Sequence, residues 1–277
     1  MGYIVISASS DIGAALSRRW VEAGIDVVGT YRQKSQSVTD LEGAGVRLVE
    51  CDLGDRASIK DAISSLCNLA PRWDALIIAP GTLDPIGKFD ELDFDQWEHS
   101  VSVNFVAQMR LLHGLLGGRR RDHSLGPAVL MFAGGGVNKP VQRYSAYTIS
   151  KIAQIKMCEF LDAEFADVRF SIVGPGWVKT KIHDQTLAAK QAAGAGYQNT
   201  VEKLEAGRAV PMEDVIACCD WVLASPRDVV GGRNFSTEFD RWGSPELDQA
   251  LRRDQDMYKL RRHGNSALPP RQRKGGR

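Results

Sequence analysis

Two strand-helix-strand units in succession at the N-terminus leave this chain few folds to choose from. Residues 3–7 and 27–30 read as strands, and between them Ile12, Leu16, Trp20 and Val21 recur at helical spacing, with Gly24 placed to end the helix. Residues 46–50 and 75–79 repeat the pattern around Ile59, Ile63 and Leu66. Parallel neighbours need a crossover, the crossover is right-handed, and its helix covers a face of the sheet. Two such units therefore predict a parallel sheet buried on both sides.

The rest of the chain extends this sheet. Strands are expected at 128–133, 169–173 and 229–236, with long helices over 95–116 and 146–165 and another over 212–224. The fold class is thus a single Rossmann-type doubly wound α/β domain, with about seven parallel strands in the order 3-2-1-4-5-6-7. Residues 183–204 are rich in Ala, Gly and Gln and read either as a lid at the sheet edge or as an ordinary pair of surface helices.

Composition sets the outer bounds. At 277 residues, 43% hydrophobic and 25% charged, the chain can bury a sizeable core, and nothing approaches 18 consecutive apolar residues. The sequence runs from Met1-Gly2-Tyr3 directly into a strand, so a cytoplasmic protein without a membrane partner is expected. Five cysteines without a C-x-x-C pair read as free buried thiols, and the scattered histidines give no metal site. The formal charge of +1 hides a basic C-terminus on an acidic body, which argues against a nucleic-acid partner. Residues 1–245 are expected to form the domain. Residues 246–277 form a basic extension, partly helical and then disordered.

Functional residues are expected at the C-terminal ends of the strands. After the first strand the chain reads Ser7-Ala8-Ser9-Ser10-Asp11-Ile12-Gly13, a small-residue turn into a helix that suits a pyrophosphate but is also at home in other α/β proteins. Ser9 or Ser10 can donate to phosphate, whereas the Asp11 carboxylate opposes an anion unless it points away or accepts backbone N–H groups. The second strand ends without a carboxylate for the adenosine ribose. Arg32 there suits a 2′-phosphate, which favours NADP(H) over NAD(H). Asp52 is placed to accept from adenine, with Leu53 packing on the ring.

The most informative segment is Tyr144-Ser145-Ala146-Tyr147-Thr148-Ile149-Ser150-Lys151. Tyr147 and Lys151 are four apart on one helical face, where an ammonium and a cationic cofactor ring lower the phenol pKa toward the range of a general acid/base. With Asp52-Leu53, Asn104, Tyr147-x-x-x-Lys151 and Pro175-Gly176 in this order, the sequence resembles the classical short-chain dehydrogenase/reductase family over residues 3–240.

The resemblance implies Tyr147 as acid/base and Lys151 as holder of the nicotinamide ribose. Asn104 would hold a water in a proton relay, and Pro175, Gly176, Val178 and Thr180 would lie around the nicotinamide. Ser7, Ser9, Ser10, Asp11 and Ile12 would form the phosphate turn, with Ala79 and Gly81 beyond the fourth strand. The implied substrate is a small carbonyl or alcohol compound, for which the polar and aromatic pocket candidates named below suggest a sugar-like one, and the implied assembly is a homodimer or homotetramer through the two long helices.

Three departures stand out. Ser7 and Asp11 occupy two glycine positions of the family turn, Ile78-Ala79-Pro80-Gly81 replaces Asn-Asn-Ala-Gly, and Gly134 stands where the family places its substrate-binding serine. The candidates to replace that serine are Asn138, Ser145 or a glycine N–H. These departures keep two alternatives open: a weakly active or inactive dinucleotide-binding subunit, and an epimerase or dehydratase of the same fold. For the substrate, His183, Gln185, Trp177 and Tyr197 on one side and Asp84, Pro85 and Lys88 on the other are candidate pocket residues.

Overall fold

In a computed structural model, which describes residues 1–122 and 124–263, the chain forms one seven-stranded sheet. The strands are β1 (Gly2–Ile6), β2 (Asp26–Tyr31), β3 (Arg47–Glu50), β4 (Ala75–Ile78), β5 (Ala128–Phe132), β6 (Arg169–Gly174) and β7 (Arg233–Ser236). All neighbouring pairs are parallel, in the expected order 3-2-1-4-5-6-7. The helices are α1 (Asp11–Glu22), α2 (Gln36–Gly43), α3 (Arg56–Leu69), α4 (Phe94–Val101), α5 (Ala107–Leu115), α6 (Ser145–Glu164), α7 (Ile182–Ala189), α8 (Ala195–Glu205), α9 (Met212–Ala224), α10 (Arg227–Val230) and α11 (Pro245–Arg253).

Period-two alternation divides the core. Val5, Val27, Ile77, Leu130 and Val173 face one layer with Leu16, Trp20, Val215, Cys219 and Val222 of α1 and α9. Ile4, Val28, Leu76, Met131 and Ile172 face the other, with Ile59, Leu111 and Ile155 of α3, α5 and α6. The inner strands β1, β4 and β5 are apolar on both faces because both are covered. Cys67 is exposed, while Cys51, Cys158, Cys218 and Cys219 are buried.

Two element boundaries differ from expectation. Residues 227–230 form α10 instead of opening the last strand, because the chain restarts a helix after Pro226 and turns at Gly231 and Gly232, the latter at φ +68°. The helix expected over 95–116 is interrupted by a π-turn at Ser102–Val106. A π-turn inserts one extra residue per turn, and here it lies around Asn104, which is fully buried.

Leu247 and Leu251 of α11 are buried in the same core layer as α1 and α9. The tail expected to be disordered, 268–277, lies outside the described residues.

Candidate active site

Strand order reverses between β1 and β4, and the crevice at their C-terminal ends is where open α/β sheets bind ligands. A cleft of about 860 Å³ opens there. Of the residues expected to hold a cofactor, Ser7, Ser9, Ser10, Arg32, Asp52, Leu53 and Gly81 line it. Asp11, Ile12, Ala79, Lys151, Tyr147, Pro175, Gly176, Val178 and Thr180 do not.

The phosphate turn is built without its usual glycines. Ser7 adopts φ +64°, the left-handed conformation that glycine takes without strain. Its N–H donates to Thr30 Oγ1 at 2.8 Å, and its carbonyl accepts from Ser10 N and Ser10 Oγ. Ser10 Oγ also caps α1 by accepting from Gly13 N at 3.2 Å, so Ser9 is the serine free of these turn bonds. Gly13 is obligatory: a Cβ there would run into the Ser7 carbonyl. Asp11 and Ile12, the first two residues of α1, have no intrahelical acceptor for their N–H groups. The Asp11 carboxylate points away from them and accepts from Lys181 N at 2.7 Å, which resolves the conflict with an anion that the sequence raised.

Arg32 is exposed and forms no ion pair with the described residues, whereas nearby Lys34 pairs with Glu42 at 2.7 Å. Lys34, Gln33 and Ser35 share the cleft wall with Arg32; the sequence marked only the arginine. Asp52 Oδ1 accepts from Gly54 N at 2.8 Å, leaving its second oxygen for a ligand.

Behind Gly81 stands the tyrosine. A Cβ at Gly81 would lie 3.8 Å from Tyr147 Cε2 and 3.9 Å from Asn104 Oδ1. Asn104 is locally satisfied: Nδ2 donates to Thr82 O at 2.9 Å and Ser100 Oγ at 3.2 Å, and Oδ1 accepts from Thr82 N at 2.9 Å. Lys151 is 2% exposed, and its Nζ lies 5.8 Å from the Tyr147 ring centre. Nζ donates to Phe132 O at 3.0 Å, Gln154 Oε1 at 3.1 Å and Pro80 O at 3.3 Å.

Burial pushes the Tyr147 phenol up to about 12 and pulls the Lys151 amine down to about 7. Burial thus works against the lowered phenol expected from the Tyr-Lys spacing.

Residues 182–205 form a helix pair over the site. Ile182, Ala189, Ala193 and Tyr197 pack with Leu83, Ile86, Tyr144 and Tyr147. Gln185 fastens the pair to the loop after β4, accepting from Leu83 N at 2.7 Å and donating to Thr82 Oγ1 at 2.9 Å. Of the proposed substrate residues, Gln185, Asp84 and Pro85 line the cleft. Trp177 and His183 instead stack on each other at 4.3 Å, and Lys88 pairs with Glu91. Ser145 Oγ accepts from Trp97 Nε1 at 3.0 Å; Asn138 lines a separate hollow. The Gly134 N–H has no acceptor among the described residues.

A protein-family model described as enoyl-(acyl carrier protein) reductase matches residues 6–237. Among curated proteins, short-chain dehydrogenase/reductase olcF of Penicillium canescens is 28% identical over 212 residues, covering 72% of this chain and 81% of its own. The 3beta-hydroxysteroid dehydrogenase 1 of Eggerthella lenta is 26% identical over 249 residues, covering 83% and 88%. Actinorhodin polyketide ketoreductase, solved with NADPH, shares the fold at TM-score 0.73 and 20% identity, covering 85% of this chain and 94% of its own.

Proposed function

The chain belongs to the short-chain dehydrogenase/reductase family, and we propose that it is an NADP(H)-linked oxidoreductase acting on a carbonyl or secondary alcohol, with Tyr147 as general acid/base. The observation that carries this reading is that Gly81, in the wall of a cleft whose lining suits a dinucleotide, stands against Tyr147, a Cβ there lying 3.8 Å from Tyr147 Cε2.

The cleft fits such a cofactor. The free N–H groups of Asp11 and Ile12, with Ser9, would hold the pyrophosphate at the positive end of α1. Arg32 would meet a 2′-phosphate, and Asp52 the adenine. Pro175, Gly176, Val178 and Thr180 would support the nicotinamide end. When bound, the cofactor supplies or accepts a hydride.

In reduction, the Tyr147 hydroxyl gives its proton to the substrate oxygen; in oxidation it takes one. When protonated, Lys151 places positive charge beside the phenol, acting against the burial that pushes Tyr147 up to about 12. Asn104 acts through its clamp on Thr82, holding the loop that borders the reacting atoms. With Gly134 in the serine position, its unbonded N–H is the donor left for the substrate oxygen; removal of such a donor elsewhere costs about 3 kcal/mol.

The relative named for steroid chemistry supports a ring-bearing ketone or alcohol over a sugar, and the apolar cluster of Leu83, Ile86, Tyr144 and Ile182 beside Tyr147 fits that choice. The exposed Val106, Ile149 and Phe160 on the long helices support a homodimer or homotetramer. The domain assignment extends through α11, whose leucines are part of the core.

Nicotinamide fluorescence during titration with NADPH and NADH, on wild type and Arg32→Ala, tests the cofactor. NADPH affinity is expected to fall at least about tenfold in the variant, with NADH little changed, as for a lost charge-assisted hydrogen bond. Binding of neither dinucleotide would overturn the reading. Turnover of cyclic ketones that survives Tyr147→Phe would remove the tyrosine from its role.

A further inference from the structure

Two fully buried glutamines stand where the packing calls for leucines. Gln108 on α5 and Gln154 on α6 are each 0% exposed, among Leu111, Leu112, Ile155 and Cys158. Burying a primary amide in such a layer costs several kcal/mol unless its hydrogen bonds are made, so the partners of the two amides decide what the pair does.

Their bonds form a directed chain. Gln108 Nε2 donates to Val103 O at 3.1 Å and Pro80 O at 3.3 Å. Gln108 Oε1 accepts from Gln154 Nε2 in a short bond, and Gln154 Oε1 accepts from Lys151 Nζ.

The direction is dictated, because two backbone carbonyls can only accept. The amino end of Gln108 must face them, its oxygen must face Gln154, and the oxygen of Gln154 is left for the lysine. Turning both amides round would set oxygen against oxygen at Pro80 and Val103, and N–H against Nζ.

Around Nζ the result is three oxygens, of Pro80, Phe132 and Gln154. Three acceptors match the three N–H groups of an ammonium. A neutral amine has two protons, and its lone pair would face an oxygen. Among the described residues Tyr147 is the titratable side chain beside Lys151, and the other partners of Nζ are carbonyls and an amide, with no carboxylate bonded to it.

We propose that the Gln108–Gln154 pair holds Lys151 more protonated than its burial alone would leave it, and aimed beneath Tyr147, carrying the polarity of two backbone carbonyls across both helices to the amine. Both glutamines are positioning residues, and their part in turnover rests on the reading of Lys151 as the partner of Tyr147. Burial alone drives the amine toward its neutral form, and the oxygen cage opposes it. The pair also ties α5 and α6 to Pro80, in the loop that lacks the family's asparagines.

The test is an NMR pH titration of protein labelled at lysine Cε, with the Lys151 signal identified by its loss in Lys151→Met. Gln154→Glu, which keeps shape and adds a negative acceptor, is expected to raise the Lys151 midpoint by about one pH unit or more. Gln108→Leu, which does not touch the lysine but frees Gln154 to turn, is expected to lower it. The double variant Gln108→Leu/Gln154→Leu, an apolar pair of similar size that is tolerated where a half-removed bond is not, is expected to lower it further. A double variant that titrates with the wild type, or above it, overturns the proposal. The midpoint is read without cofactor or substrate, so shifts in the expected directions alongside absent turnover would uphold the cage and count against the oxidoreductase reading alone.

Discussion

The ring of Tyr147 fills the space in front of Gly134: a Cβ built on that glycine would lie 2.6 Å from both the hydroxyl oxygen and Cε1, and 2.8 Å from Cζ. The family's serine and this placement of the tyrosine exclude each other. The missing serine and the tyrosine position are one adjustment, which substitution of Gly134 must undo.

Gly134→Ala is accordingly expected to displace the phenol, at a cost of about 1–3 kcal/mol typical of overpacking. Turnover should fall at least tenfold while cofactor affinity holds, since Gly134 does not line the cleft. Unchanged kcat in the variant would show that the ring is free to move aside.

Stability should depend on pH through the same helix. The Lys151 amine stands near 7 in the fold against 10.5 for the free group, so the unfolded chain binds the extra proton between these values. Stability therefore rises with pH across that window, by at most about 1.4 kcal/mol per pH unit. Tyr147, at about 12 against 10, acts oppositely: the fold retains its proton, and stability falls as pH climbs from 10 to 12. Urea unfolding of Lys151→Met should lose the first slope and keep the second, and parallel curves for variant and wild type would contradict the assignment.

The Asp11 carboxylate accepts from Lys181 N, 170 residues away, just ahead of α7. Asp11→Ala should loosen the start of the helix pair, seen as hydrogen exchange at Lys181 and the first turn of α7 about tenfold faster, as for a lost bond of roughly 1.4 kcal/mol to a charged acceptor. It also removes a negative charge beside the proposed phosphate site, so NADPH should bind no more weakly. Exchange at wild-type rates would mean that Gln185 and the apolar contacts hold the pair alone.

Arg233 is 1% exposed and pins the C-terminal segment to β7, donating to Leu251 O at 2.6 Å, Met257 O at 3.0 Å and Asp254 O at 3.1 Å. Arg233→Met strands those carbonyls and should destabilise the domain by about 2–4 kcal/mol. Thermal melting is the measurement; an unchanged Tm would show that the segment is held by Leu247 and Leu251 alone.

The sequence by itself determined the sheet. The apolar run Ile4, Val5 and Ile6 and the helical spacing of Ile12, Leu16 and Trp20 are local periodicities, and right-handed crossovers turn them into a parallel sheet covered on both faces, in one of the few orders such a sheet allows. Tyr147 and Lys151 were legible for the same reason, being one helical turn apart. Tertiary structure decided what surrounds them. Gln108 and Gln154 are 46 residues apart, and each alone reads as a polar residue on an amphipathic helix; only the crossing of α5 and α6 makes them a pair aimed at the lysine. The φ of Ser7, the π-turn at Asn104 and the fit of Tyr147 against Gly134 likewise depend on neighbours distant in sequence. Local periodicity fixes which face of an element is buried, whereas hydrogen bonding and close contact depend on distances between elements that no single stretch of sequence contains.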